Sequence, residues 1–314
     1  MLLICPICSN RKDFKKIKQW GEFEIFFCPN CQIEFSHPMN AGSKEWYESA
    51  YLLRNIFPTN KIQPYAAIAL KNIPPHSKIL DIGCGEGVFV NCAWRNGYDI
   101  YGLDLSEEMI KIAQSQYPHL NNRFFLGTLS NFLKNYPEEK FDIITMFELI
   151  EHLTDPLTFL REVKDLLKPK GKIIISVPNR DALPIRTFFD HPPNHLTRWN
   201  KKSLTYLFNT LDFKIELITT TSYFSSLTYF LRYILIRYPL YTISGEKKKF
   251  LGEINEKNYD NKTEESLYFR ILKMTAPYLR NLIDNSVLPL ALALYPFMFP
   301  LVKGLSYIVI AEIT

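Results

Sequence analysis

The chain has 314 residues, 47% of them hydrophobic, and a net charge of +5 from 37 basic and 32 acidic residues. That length accommodates one large domain with an appendage, and so slight a basic excess is too weak by itself to argue for a nucleic-acid partner. Met1–Ile4 is too short for a signal peptide and no repeat or low-complexity tract is visible, so the chain reads as cytoplasmic.

The first element is a cysteine framework. Cys5-Pro6-Ile7-Cys8 and Cys28-Pro29-Asn30-Cys31 are two Cys-x-x-Cys knuckles with nineteen residues between them. Two such hairpins offer four thiolates to a tetrahedral Zn2+. A reducing cytosol disfavours disulfides, and a redox pair would need one knuckle in a βαβ setting. Residues 1–40 are therefore read as a zinc ribbon. Its core is small, so the metal would supply the stability, about 10 kcal/mol or more. Arg11, Lys12, Lys15, Lys16 and Lys18 form one short basic cluster, a pattern that is more often a solvated face than a binding site. Residues 41–62 follow as a linker with helical character, and 63–314 form the main domain.

That domain alternates strands and helices. A short helix is expected at Pro64–Asn72, and strands at about 78–82, 98–103, 123–126, 141–146 and 171–177. Each of these strands precedes a helical stretch, so the expected fold class is α/β, a Rossmann-like doubly wound sheet. Further strands at 212–221 and 306–311 bring the sheet to seven.

The most informative stretch is Asp81-Ile82-Gly83-Cys84-Gly85-Glu86-Gly87, after the apolar strand Lys78-Ile79-Leu80 and before a helix near Val88. Glycines at alternate positions strip Cβ atoms from a strand-to-helix turn, and the helix N-terminus presents free N–H groups to a ligand. The spacing differs from the Gly-x-Gly-x-x-Gly of dinucleotide sites, and Asp81 would repel a pyrophosphate. A cation suits Asp81 better. Seventeen residues past Gly87, the second strand ends in Asp104, whose carboxylate can accept both hydroxyls of a ribose. A glycine loop and two acids in this order fit S-adenosylmethionine. Cys84 in the loop and Leu105 after Asp104 are counted with the cofactor contacts, while the side chains of Cys84 and Cys92 read as small packing groups.

With these residues in view, the chain resembles class I S-adenosylmethionine-dependent methyltransferases over about 60–215 and the final strand. A second signature adds to the likeness: Phe141-Asp142-Ile143-Ile144-Thr145-Met146-Phe147-Glu148-Leu149-Ile150-Glu151-His152, then a helix at Leu157–Leu167, Lys168-Pro169-Lys170-Gly171 and the strand Lys172–Val177. The order is similar to the subfamily that includes ubiquinone-biosynthesis O-methyltransferases. The resemblance implies cofactor contacts at Asp81, Gly83, Gly85, Gly87, Asp104 and Phe147. It also implies that the last two strands form a hairpin, here separated by about eighty inserted residues. Where the family often has an acid after the third strand, this chain has Gly127-Thr128, so the usual adenine contact is missing or made by backbone.

Glu148-x-x-Glu151-His152 lies just past the fourth strand, where open α/β sheets bind ligands. On a helix, Glu148 and Glu151 would share a face with His152 one turn on, a half-site for a divalent metal. In the ubiquinone-pathway enzymes the pattern resembles a magnesium site, and in small-RNA methyltransferases a downstream histidine joins it. Asp190-His191-Pro192-Pro193-Asn194-His195 supplies candidates, with His195 the better placed because Asn200 can cap the next helix. A bound Mg2+ or other divalent metal would lower the pKa of an acceptor hydroxyl. Alternatively His195 or His152 acts as a general base without metal, or the acids cap a helix and His152 packs on Pro156.

The insertion 222–304 holds apolar stretches broken by Arg232, Arg237, Pro289, Pro296 and Pro300, beside Lys247-Lys248-Lys249. None is a convincing membrane span. It reads either as an interfacial membrane contact or as a lid packed on the domain or on a twin subunit in a homodimer. Two functions stand open. One is O-methylation of a small or lipid-linked acceptor, such as a glycan intermediate or an aromatic diol. The other is methylation of RNA gripped by the ribbon, against which the rest of the chain shows no basic stripe.

Overall fold

A computed structural model describes residues 2–42, 62–182, 190–222 and 305–314. The four-cysteine module and the main sheet belong to one compact unit, made of Met1–Ala41, Asn60–Thr221 and Gly304–Thr314. A second unit, Gly42–Thr59 with Ser222–Lys303, lies outside the described residues except for Gly42 and Ser222. The expected linker helix at 41–62 and the insertion at 222–304 fall almost entirely there.

The N-terminal module is a small antiparallel sheet of β1 (Lys15–Trp20), β2 (Phe23–Phe27) and β3 (Glu34–His37). Each cysteine pair sits in a tight turn closed by backbone bonds. Cys5 N–H donates to Asn10 O and Ser9 N–H to Cys5 O, and in the second turn Cys28 N–H donates to Ile33 O and Gln32 N–H to Cys28 O. Ser9 and Gln32, the residues that leave the turns, have positive φ of 55° and 61°.

The main domain opens with α1 (Pro64–Lys71), whose Pro64 needs no N–H at the first helical turn. It continues with β4 (Lys78–Ile82), α2 (Val88–Arg95), β5 (Asp99–Asp104), α3 (Glu107–Gln116), β6 (Phe124–Leu126), α4 (Leu129–Asn135), β7 (Phe141–Phe147), α5 (Pro156–Lys164) and β8 (Leu167–Pro178). After β9 (Thr197–Arg198) come α6 (Lys201–Thr210), β10 (Phe213–Thr220) and β11 (Ser306–Ile313). The strands lie in the order β10-β11-β8-β7-β4-β5-β6, parallel except for β11. Seven strands were expected and seven form the sheet, with β10 and β11 paired antiparallel across the insertion.

Helix starts follow their caps. Ser106 accepts Met109 N–H with two glutamates in the first turn of α3, and Asp155 accepts Thr158 N–H ahead of Pro156. Ile173, Ile174, Ile175 and Val177 of β8 are all buried, because helices or loops cover both faces of a parallel sheet.

One boundary differs from the sequence reading. The helix expected to reach Leu167 ends at Lys164, and Leu167 already pairs with Phe141 at the start of β8. Pro169 disfavours helical backbone at Lys168, and the buried Leu166–Leu167 pair finds its partners in the sheet core instead.

The chain runs outward from β4 to β5 and β6, then crosses back to β7 and β8 on the other side of β4. The strand order therefore reverses between β4 and β7, and the crevice beyond their C-terminal ends is the expected ligand site.

Candidate active site

The glycine loop leaves β4 at this reversal. Gly83, Gly85 and Gly87 have φ of +77°, +53° and +74°, left-handed values that favour glycine. Gly83 and Gly87 are tight. A Cβ on Gly83 would lie 3.3 Å from Leu149, and one on Gly87 only 2.7 Å from the Phe124 ring. A Cβ on Gly85 would meet nothing among the described residues within 4 Å, so this position borders open space within them.

Asp104, at the end of β5, ties the loop down. Its Oδ2 accepts the Gly85 N–H at 2.8 Å and its Oδ1 the Ser106 N–H at 2.8 Å. Asp81 lies underneath, only 2% exposed, and accepts the Thr145 hydroxyl at 2.6 Å. Burial raises its pKa to about 7; the Thr145 bond works against that shift and the Asp104 charge adds to it. Asp81 is thus buried beneath the loop and held by Thr145, while Asp104 is tied to the loop backbone above it. Cys84 is buried, and its sulfur would stand 2.8 Å from a Cβ on Gly102, as suits a packing residue. Leu105 and Leu126 expose apolar side chains (72% and 52%) at the ends of the neighbouring strands β5 and β6. Phe147, at the end of β7, packs edge-on against Phe89 and near Tyr65.

The second cluster begins one residue past β7. Glu148 takes a left-handed φ of 51°, and only Ile150–His152 makes a short 3₁₀ turn. The helical face expected to unite Glu148 with Glu151 therefore does not form. Glu148 instead accepts the Ser176 hydroxyl at 2.9 Å, and it stands outside the group that gathers on Glu151. That group is Glu151, His152 and His195, whose ligand atoms all lie within 4.8 Å of one another. Glu151 is 1% exposed, and neither carboxylate oxygen has a hydrogen-bond partner among the described residues. Burial first, then the Glu148 charge, push its pKa well up.

The two imidazoles meet edge to face, 4.9 Å between centroids. His152 Nδ1 is bonded to Asn194 O at 2.7 Å, and its Nε2 lies 3.9 Å from Glu151 Oε1. His195 Nδ1 contacts Asp190 Oδ1 at 3.1 Å; burial lowers its pKa, with the Asp190 bond opposing. His191 goes elsewhere, stacked on Trp20 at 3.9 Å.

The glycine loop and this cluster adjoin through Leu149, which sits between Gly83 and Ile150. A family model described as "Methyltransferase domain" matches residues 54–218, more than half of the chain. The chain belongs to this methyltransferase family.

Among curated relatives, the ubiquinone biosynthesis O-methyltransferase of Actinobacillus pleuropneumoniae serotype 5b (strain L20) is 35% identical over 108 residues, covering 33% of this chain and 46% of that protein. The enzyme of the same name from Pasteurella multocida (strain Pm70) is 29% identical over 148 residues, 44% of this chain and 61% of its own. The chain thus spans about half the length of the curated relatives it matches. Among solved structures, the [4+2]-cyclase SpnF aligns with a TM-score of 0.52 at 15% identity, over 87% of this chain and 97% of that one. Phosphoethanolamine N-methyltransferase 2 of Haemonchus contortus, in complex with S-adenosyl-L-methionine, gives 0.50 at 17%, over 89% and 62%. Such identities show the fold alone, and one fold hosting a cyclase and a methyltransferase leaves the reaction to the site.

S-adenosylmethionine is the cofactor of this methyltransferase family, and the cradle fits it. Gly85 leaves room for a ligand against the backbone. Asp104 has about four acceptor positions, so anchoring the loop is compatible with receiving ribose hydroxyls. Leu105 and Leu126 offer an apolar rim for a base. The four-cysteine module fits zinc equally well. Cys5, Cys8, Cys28 and Cys31 lie within 4.8 Å of one another, with Cys5–Cys31 and Cys8–Cys28 sulfurs both 3.5 Å apart, close to the edge of a tetrahedron with Zn–S bonds of about 2.3 Å.

Four residues with a part in the site escaped the sequence reading: Thr145 under Asp81, Ser176 on Glu148, Asp190 on His195, and Arg198. Only Asp190 left a trace, as an acid five residues before a histidine across a Pro-Pro pair.

Proposed function

We propose that this methyltransferase-family protein transfers a methyl group from S-adenosylmethionine to an oxygen of a small or lipid-linked acceptor, a glycan intermediate or an aromatic diol. The observation that supports it is the Glu151–His152–His195 group beside the glycine loop at the reversal point of the sheet. The name of the matched relatives, O-methyltransferases, points the same way.

Methylating a hydroxyl requires removing its proton. With Nδ1–H donated to Asp190, His195 keeps Nε2 as a base, and Asp190 fixes that tautomer. Burial keeps the imidazole neutral near pH 7, able to accept a proton. The acceptor oxygen then takes the methyl group as its proton passes to His195. S-adenosylmethionine, when bound, supplies that methyl group from a sulfonium, so the protein contributes mainly alignment. Glu151, His152 and His195 would also suit a divalent ion, which when bound would acidify a chelated hydroxyl. Residues 1–40 are proposed as a zinc ribbon, 63–314 as the methyltransferase domain, and 222–304 as a lid or an interfacial membrane contact. No helix among the described residues is long and apolar enough to cross a membrane.

The test is a screen of cell extract with methyl-labelled S-adenosylmethionine for products gaining one methyl, followed by Glu151→Gln and His195→Ala. Both variants should keep cofactor affinity within about threefold and lose turnover by about 100-fold or more. Full activity in both would remove the proposed chemistry.

A further inference from the structure

The histidine-bearing segment is built into the four-cysteine module. Thr197 and Arg198 form the fourth strand of the module's sheet: β9 pairs antiparallel with β3, Arg198 opposite Glu34 and Thr197 opposite Phe35. One peptide then spans both parts. Leu196 O accepts the Ser36 N–H at 2.8 Å, and Leu196 N–H donates to Glu151 O at 2.8 Å. Asn194, two residues earlier, holds the His152 ring. Five residues after Cys31, the module's backbone is thus one peptide away from Glu151.

Arg198 locks the junction. It is 2% exposed. Its guanidinium donates to Asp190 O at 2.9 Å, to His195 O at 3.0 Å and to the Ser36 hydroxyl at 3.4 Å. The first two bonds close the turn that sets Asp190 against His195. The third reaches the module. Trp20 and Lys18 grip His191 from the other side, with Lys18 Nζ 3.2 Å from its Nε2. Arg180 donates to Gln32 O, next to Cys31, at 2.7 Å. The cysteines themselves pack in the same hydrophobic core as Trp199 and Ile150.

We infer that the four-cysteine module is a positioning element of the active site: its bound metal holds β3, β3 holds the Asn194–Arg198 segment, and Arg198 is the positioning residue that ties His195 and Asp190 to the module. The inference rests on the reading of His152 and His195 as the chemical groups, and it gives the zinc a role in catalysis without contact with substrate. The second cysteine turn leads directly into β3, so a metal shared by the four thiolates would hold that strand's start, and losing the metal would loosen it. Loosening β3 removes the partner of Leu196 O and one anchor of Arg198, so the histidines lose their register while the glycine loop, held by Asp104 from β5, keeps its own.

The experiment compares the full-length zinc-loaded protein, the chelator-stripped protein and the Arg198→Lys variant by amide hydrogen exchange, calorimetry with S-adenosylmethionine, and NMR of the histidine rings. Stripping should speed exchange at Ser36 and Leu196 by about tenfold or more, the loss of one or more hydrogen bonds. Amides of β4 and β5 and the cofactor affinity should stay within about threefold of the parent. Arg198→Lys should keep its zinc, speed exchange at Leu196 and shift the His195 ring signals while leaving unmoved those of His76, in the exposed turn between α1 and β4. Unchanged Leu196 protection and His195 signals in both forms would overturn the inference. So would uniform loss of protection through β4 and β5 on stripping, which would make the module a general stabiliser. None of these readouts requires turnover. Full activity in both Glu151→Gln and His195→Ala would therefore sink the proposed chemistry and leave the mechanical coupling standing.

Discussion

Asp81 carries its proton into the neutral range because burial penalises the charge, with Asp104 adding to the effect. Its pKa moves from 3.8 in the unfolded chain to about 7 in the folded one. Between those values the folded protein holds a proton that the unfolded chain releases. Asp81 therefore makes the fold less stable as pH rises from about 4 to about 7, by roughly 4 kcal/mol over the whole window. A sulfonium cation bound above the loop favours the ionised form. Cofactor affinity should then rise with pH through about 7, by up to about tenfold per unit, and Asp81→Asn should flatten the profile. Calorimetry from pH 6 to 8 reads this directly, and parent binding that is indifferent to pH would count against a cationic ligand near Asp81.

The glycine loop separates two jobs that a motif merges. Gly87 is glycine for packing: Gly87→Ala drives a Cβ to within 2.7 Å of Phe124 at φ +74° and should cost about 2–4 kcal/mol in denaturant unfolding. Gly85 has no such packing reason: with nothing among the described residues within 4 Å, Gly85→Ala should cost only the left-handed strain, about 1–2 kcal/mol, and the proposed cofactor contact there predicts binding weakened by about tenfold or more. Equal cofactor affinity in Gly85→Ala would move the ligand away from this backbone. At the start of α6, Asn200 accepts the Ser203 N–H while Ser203 Oγ accepts the Asn200 N–H, a reciprocal cap. Asn200→Ala should lower stability by about 1 kcal/mol in the same unfolding measurement, a loss too small to disturb the cradle.

For the whole molecule, elemental analysis should find one zinc per chain, lost in Cys5→Ser and Cys31→Ser and kept in Cys84→Ser and Cys92→Ser. The sulfurs of the first set converge, whereas Cys84 is buried against Gly102. The cysteine knuckles, the glycine loop with its two acids, the seven strands and the Asn200 cap were legible in the chain because each is a local signal. Side-chain period, a glycine φ or a capping residue acts within a few neighbours. Glu151, His152 and His195 were also named together from the sequence, whereas the diversion of Glu148 to Ser176 and the joining of β9 to the cysteine module were decided by the tertiary structure alone. Residues 28 to 162 positions apart meet there, and which of them meet depends on how β7, β8 and the module pack, which no local pattern encodes.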